Sequence, residues 1–408
     1  MDHRQPTDRA LATREETMSK PAPTNEAPDL SGHPRAGDVR RFATGEALVL
    51  APLPLPLPVR PMDPKQFLVH IDQTYLDLDS SRHTAQAHQV MIGVPFFIGV
   101  IFIGLGFPLL IGTTAFGTDH TFWASALHAA IVSIPYGLFG GTLLFLIALH
   151  GFFHRMKQAR RHPPVRFHRQ RREVACFDPD TGQTLVAPFE RVTAWMATSS
   201  GATPYGAMTH YNFGLTVEDA ETGQSYTALF PASLPEEALG LWEAIRRYMD
   251  HGPGTLERPT KTFSGLPIDP REHLPYDGVH TLEIARKKLH EDLRDGFTSR
   301  VFVFFWYLYH LITFWKLPFR LATWEYHRSR APIPPEIQAW SEPIPEHDWA
   351  TPSPELEAAA RRMVQAGEQA PDIKLPELLA AGIADWHPDH DGGNGNGNGN
   401  NERTPRKP

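Results

Sequence analysis

Hydrophobic positions along this chain follow three rhythms. From Gln89 to Phe153 they are nearly continuous, and Asp119 is the single charged residue in the stretch. Val90–Gly112 and Phe122–Phe153 each exceed the ~20 apolar residues that cross a hydrocarbon core. The polar run Thr113–Thr121 separates them, so the pattern predicts a transmembrane helical hairpin over 89–154. Alternation with the period of a strand marks Phe67–Ser80 before the hairpin. After it come VRFHRQRREVACFD, TLVAPF, RVTAWMAT, YNFGLTVED and SYTALF, between Pro164 and Phe230. Helical spacing then places Ala238, Leu239, Leu241, Trp242, Ile245, Tyr248 and Met249 on one face, with Gly252 positioned to end the helix.

Turn chemistry organises the strands. Asp178–Gly182 and Asp219–Gly223 each place glycine where a hairpin turn needs positive φ, and Ser199–Gly206 reads as a longer loop. Ser233 with Glu236 has the spacing of a capping box. Residues 164–252 are thus expected to form a small antiparallel β-rich domain closed by an amphipathic helix. Trp242, Ile245 and Met249 should pack against Trp195 and Phe213, with Arg246 exposed. A lone hairpin is not stable in water, and a membrane hairpin returns the chain to the side it left. The strand segment at 65–88 is therefore expected to pair with a strand within Val165–Phe230.

Residues 277–328 read as a charged helix followed by Val301–Trp315, which is uncharged but only about 22 Å long as a helix. Trp306, Tyr307, Tyr309, Trp315 and Trp324 favour a bilayer interface, and a crossing would export Lys316, Arg320, Arg328 and Arg330. An interfacial aromatic helix, or one packed beneath the β domain, is expected. Proline makes up 39 of 408 residues and is dense toward both ends. The Leu-Pro repeat at Leu53–Pro58 reads as an extended spacer, and Gly392–Asn401 as a flexible linker. Segments 1–64 and 329–408 are expected to be disordered tails, the second with a short helix near Glu355–Gln365. The fold class expected is an α+β membrane protein.

Charge orients this plan. Arg155, Lys157, Arg160, Arg161, Arg166, Arg169, Arg171 and Arg172 follow the second apolar segment, and the turn between the segments carries no cation. A Lys/Arg excess marks the cytoplasmic side. This predicts an inner-membrane, multi-pass protein with both termini cytoplasmic and a membrane-proximal basic cluster facing lipid headgroups. Ser125, Ala129, Ser133, Gly137 and Gly141 recur every four residues. That small-residue stripe would receive the first helix or, in a homodimer, the second membrane helix of another copy. A net charge of −7 argues against a nucleic-acid partner. Cys176, the single cysteine, reads as a small core residue.

No phosphate loop, dinucleotide fingerprint, nucleophile elbow or paired-cysteine motif occurs, so no catalytic residues and no cofactors are expected. His150 and His154 lack a third metal ligand, and Asp385, His387, Asp389, His390 and Asp391 read as a solvated tail.

Five or so strands closed by one helix resemble, in order, the pleckstrin-homology-like modules of bacterial membrane proteins. HIDQTYLDL (His70–Leu78), RFHRQRREVACF (Arg166–Phe177) and LWEAIRRYMDHGP (Leu241–Pro253) resemble an uncharacterised proteobacterial family of two-helix membrane proteins. That family has a small β-rich cytoplasmic domain and an LWE-IRRYM helix, and it is similar to proteins encoded near type VI secretion loci. The resemblance covers residues 65–330 and implies a setting but no catalytic residue. The expected function is a non-enzymatic, membrane-anchored binding or scaffold protein with membrane lipids and a protein partner, as an accessory of a type VI secretion system. The alternatives are an immunity protein that neutralises a secreted toxin, or a membrane-bound enzyme.

Overall fold

Among the residues described by the computed structural model, ten strands pair into two antiparallel sheets of five. The described residues are 34–79, 85–101, 106–113, 122–203, 206–219, 222–256, 276–328 and 331–386, with a few isolated positions. The strands are β1 (Val39–Phe42), β2 (Gly45–Val49), β3 (Leu68–Ile71), β4 (Tyr75–Leu78), β5 (Val165–His168), β6 (Glu173–Asp178), β7 (Gln183–Pro188), β8 (Thr193–Thr203), β9 (Gly206–Glu218) and β10 (Ser225–Ala232). One sheet runs β1-β2-β8-β9-β10 and the other β3-β4-β5-β6-β7.

The segment before the apolar stretch pairs with the one after it. Leu78 lies opposite Val165 and Tyr75 opposite His168, so neighbouring strands of one sheet are joined through a helical insertion. That insertion holds α1 (Ala85–Ile101), α2 (Phe107–Thr113) and α3 (Phe122–Ala159). The two glycine turns form as their sequences dictate. Gly182 and Gly223 sit at φ +71° and +66°, and their N–H groups donate to the carbonyls of Asp178 and Asp219. The loop expected at Ser199–Gly206 is mostly strand, because β8 and β9 stay paired from Thr193–Thr216 out to Thr203–Gly206.

Helix α4 (Pro235–His251) closes the space between the sheets. Trp242 stands 6.0 Å from Phe213 and 5.6 Å from Phe189, ring to ring, and Ile245, Tyr248 and Met249 are buried beside it. Trp195 does not join them. Successive strand residues face opposite sides, so Ala194 enters this core while Trp195 packs outward with Ala47, Ala197 and Phe42. Its ring lies flat on Gly214, where a Cβ would come within 2.2 Å. The capping box at Ser233 does not form. Pro235 takes the first helical position, which suits its fixed φ and missing N–H, and holds Leu234 extended before it.

After α4 come α5 (Val279–Arg294), α6 (Arg300–Ile312) and α7 (Leu317–Arg328). A second small core joins Ala85, Leu282, Phe319 and Ala322 from α1, α5 and α7.

The expectation of disordered tails is corrected on both sides. Strands β1 and β2 extend the first sheet through pairing of β2 with β8. The Leu-Pro repeat is core: Leu53, Leu55 and Leu57 are all buried. An extended chain presents alternate residues to one side, so the repeat that reads as a spacer is also a one-faced apolar ribbon. At the other end come α8 (Pro335–Trp340), α9 (Pro354–Gln369) and α10 (Leu375–Gly382). Leu356, Ala359, Met363, Leu378, Leu379 and Ile383 bury into the same core as Trp242. Most of 1–33 and all of 387–408 lie outside the described residues, as do His387–Asp391 and Gly392–Asn401.

Candidate membrane interface

Among the described residues one helix, α3, is long and apolar enough to cross a membrane. Its 38 residues extend about 57 Å, against the ~30 Å of a hydrocarbon core. Most of its circumference is bare: Trp123 is 75% exposed, Phe139 72%, and Leu127, Ile131 and Tyr136 are similarly open. The small-residue stripe is the exception. Ala129, Ser133, Gly137 and Gly141 are buried and Ser125 half-buried. A Cβ on Gly99 of α1 would come 2.7 Å from the Gly141 Cα, and one on Gly141 would come 2.9 Å from the Phe96 carbonyl oxygen. Glycine on both sides permits this approach. The stripe that could serve a homodimer is thus occupied within the chain.

Of the expected hairpin, the described residues show one helix of spanning length, α3. The described parts of Val90–Gly112 are α1 and α2, which pack along α3, with 102–105 outside the described residues. Most of the turn at Thr113–Thr121 is likewise outside the described residues.

The aromatic helix stops earlier than its apolar run. Helix α6 ends at Ile312, and Phe314 and Trp315 take positive φ (+63° and +51°), turning the chain by 60° into α7. Phe314 is 5.0 Å from Phe96 and 5.5 Å from Phe145, while Trp324 is 5.8 Å from Phe153 and 6.0 Å from Phe152. Helix α7 therefore runs beside the last turns of α3 in the same direction. At its far end His88 Nε2 lies 2.9 Å from Glu325 Oε2, with Phe152 edge-on to the imidazole. Val301, Phe302, Phe304, Phe305 and Leu311 of α6 remain exposed. Its other side is satisfied internally, with Tyr307 stacked on Trp315 and its hydroxyl 2.8 Å from His290 Nε2.

The basic cluster divides in two. Arg155, Lys157, Arg160 and Arg161 are exposed at the end of α3. Arg166 is buried on β5, where Nε and Nη2 donate to the two Asp77 oxygens (2.6 and 2.7 Å) and Nη1 to Ser341 Oγ (2.8 Å). Burial opposes its charge, but Asp77 more than offsets this and holds the guanidinium above its ordinary pKa. Arg172 is buried and donates to Asp250 at 2.9 Å, and Arg169 sits 5.5 Å over the Trp349 ring. Arg171 is half-buried beside them. Gln170 accepts the Ile344 N–H on its side chain and the Ala350 N–H on its carbonyl. Arg166, Arg169 and Gln170 thus dock the C-terminal segment and Arg172 is held by Asp250 of α4, which corrects the assignment of these arginines to lipid headgroups. His168 Nε2 lies 3.3 Å from the Glu342 carbonyl, and burial pushes its pKa down.

Arg246, expected to be exposed, is 8% exposed. It donates twice to Glu243 (2.8 and 2.7 Å) and once to Asp250 (2.7 Å), and Glu243 also accepts from Arg247 and the Leu57 N–H. Burial would raise the Glu243 pKa, yet these donors hold it below the usual carboxylate value. Cys176 is buried in the core, and desolvation pushes its thiol up to about 12. Among the described residues no group of three or more His, Cys, Asp or Glu is placed to hold a metal ion. His154 Nε2 instead lies 3.2 Å from Gln158 Nε2.

Sequence reasoning missed Asp77, Ser341 and Trp349 as partners of the basic run. The only local signal for the last two was tryptophan in a proline-rich segment, which gives no hint of what it packs against. Compared with protein-family models, with curated proteins and with solved structures, the chain matches none.

Proposed function

We propose that this chain is a membrane-anchored, non-enzymatic binding or scaffold protein, held in a bilayer by α3 with α1 and α2 against it. The observation that carries the reading is the bare apolar surface of α3. Large contiguous apolar patches are uncommon on soluble monomers, and burying each large side chain in lipid contributes roughly 1.5–3 kcal/mol. The cations at the end of α3 set the orientation: the β domain is cytoplasmic and the 114–121 turn is external. The buried charges of the β domain are structural in this reading: Arg166 is paired with Asp77, and Arg246 with Glu243 and Asp250, inside the fold. The proposed setting is that of the resemblance, an accessory of a secretion system in the bacterial inner membrane.

Cysteine labelling in intact cells tests the anchor and its topology. An impermeant maleimide should modify Gly117→Cys from outside and Glu355→Cys only after lysis, and the protein should stay in the membrane pellet at alkaline pH. External labelling at Glu355, or release from the pellet, would refute the reading.

A further inference from the structure

We propose that α6 is a lipid-docking helix whose exposed aromatic and aliphatic half lies in the headgroup–acyl boundary of an anionic leaflet, beside the point where α3 leaves the bilayer. This rests on the anchor reading above and adds a second, peripheral membrane contact selective for negative headgroups.

The face itself is the first ground. At the α-helical angle of about 100° per residue, Val301, Phe302, Phe304, Phe305, Leu308 and Leu311 fall on one half of α6. Trp306, Tyr307 and His310 fall on the other, which packs on Trp315 and α5. No acidic residue lies on α6. Phe297, just before it, is 83% exposed. Tyr309 shares the apolar half and turns its hydroxyl to Gln89 of α1 at 3.5 Å. A helix with a largely apolar exposed side and a covered back has the form of an in-plane membrane helix.

Position is the second ground. Phe314 ties the end of α6 to Phe96 and Phe145 of the membrane bundle, so the bare face continues the bare surface of α3. Because α7 follows α3, the 60° bend inclines the α6 axis away from that of α3. Helix α3 is longer than a bilayer needs, which leaves its final turns free to stand clear beside α7.

Charge is the third ground, and it selects lipid over a second copy of the chain. Arg300, Arg320 and Arg328 are exposed around α6 and α7, and Arg155, Lys157, Arg160 and Arg161 are exposed on α3. Lys316 is held by Glu283 at 3.0 Å. The acids nearby are Glu325, at His88, and those of α5: Glu283, Glu291, Asp292 and, just after it, Asp295. Two copies meeting through α6 would bring like charges together, whereas an anionic leaflet would neutralise them, each cation near the surface raising the partition roughly fivefold.

Nitroxide labelling of the full-length protein in nanodiscs tests this. Cys176 can stay, since it is buried with its thiol raised to about 12. Labels go at Phe305→Cys, at Leu138→Cys on α3 and at Glu355→Cys as the aqueous control, in discs of phosphatidylcholine with or without phosphatidylglycerol. Collisions with a water-soluble nickel chelate should be several-fold fewer at 305 and 138 than at 355. Phosphatidylglycerol should deepen the shielding at 305, and Arg300→Gln with Arg320→Gln should remove that gain. Nickel contact at 305 equal to that at 355, with 138 shielded, would overturn the proposal and leave the anchor intact; contact at 138 would sink the anchor itself. Spin–spin broadening at 305 that disappears on dilution with unlabelled protein would assign the face to a second copy. Equal shielding in both lipids would refute the anionic preference.

Discussion

Helix α4 buries Trp242, Ile245, Tyr248 and Met249, whereas α6 leaves Val301, Phe302, Phe304 and Phe305 exposed. Each helix presents a face of large apolar side chains, although the rest of α4 is rich in charge and α6 carries a single charge, Arg300. The difference lies in what surrounds them. Helix α4 has sheets on one side and charged residues on the other, and even those charges are paired: Glu243 and Arg246 are buried against each other and Asp250. Helix α6 has a packed back, and among the described residues most of its front is left uncovered. Hydrophobicity alone does not say whether a face meets protein or lipid. The supply of complementary surface elsewhere in the chain decides it, and here the strands, the Leu-Pro ribbon and α9 and α10 are all spent on α4.

That contrast can be broken at its strongest point. Trp242→Ala should cost about 3–5 kcal/mol, as large-to-small core changes do. Arg246→Ala should cost a similar ~3–5 kcal/mol, because it breaks a buried ion pair and leaves the Glu243 carboxylate only Arg247 and the Leu57 N–H. Both are read from chemical unfolding of the whole chain in detergent. An excised 164–254 fragment is unsuitable, since its core would lose Leu50, Leu55, Leu356 and Leu379. If Arg246→Ala unfolds at the wild-type midpoint, the buried network carries no stability and α4 closes the domain by apolar contact alone.

Acid should separate the two helices more gently. The Glu243 pKa is depressed in the fold, so its contribution is present above the ordinary carboxylate range and is lost as pH falls through the depressed value. The His168 pKa is lowered, so the fold favours neutral imidazole. Its contribution is complete above ~6.5 and declines as pH drops from there through the folded value. Unfolding midpoints across this range should fall in two stages, and His168→Asn should remove the upper one. A single stage in the wild type would show that the C-terminal segment does not depend on His168.

The smallest effect belongs to α6. Phe305→Ser should change the stability of the β domain by no more than ~0.5 kcal/mol, because the side chain touches no domain core, while reducing retention on anionic vesicles. A loss of several kcal/mol in the β domain would mean that α6 packs against it after all.

Local chemistry was legible in the sequence where a residue's neighbours along the chain settle its state. Gly182 and Gly223 close their turns, Gly252 at φ +82° ends α4, and the apolar run of α3 gives a helix of spanning length. VRFHRQRREVACFD, which reads as one strand-like run, instead splits at a turn over 169–172 into β5 and β6, with Arg172 at φ +51°. What tertiary structure alone decided were choices between surfaces with the same local pattern. Arg166, Arg169 and Arg172 look like headgroup cations until Asp77, Trp349 and Asp250 arrive from distant parts of the chain. The Leu-Pro repeat looks like a spacer until the sheets take its leucine face, and Met363 and Leu379 look like tail residues until the same core takes them. Trp195 and Ala194 exchange their expected sides because a shift of one strand position reverses which faces inward. Periodicity encodes that a face exists, and only the folded chain supplies what covers it.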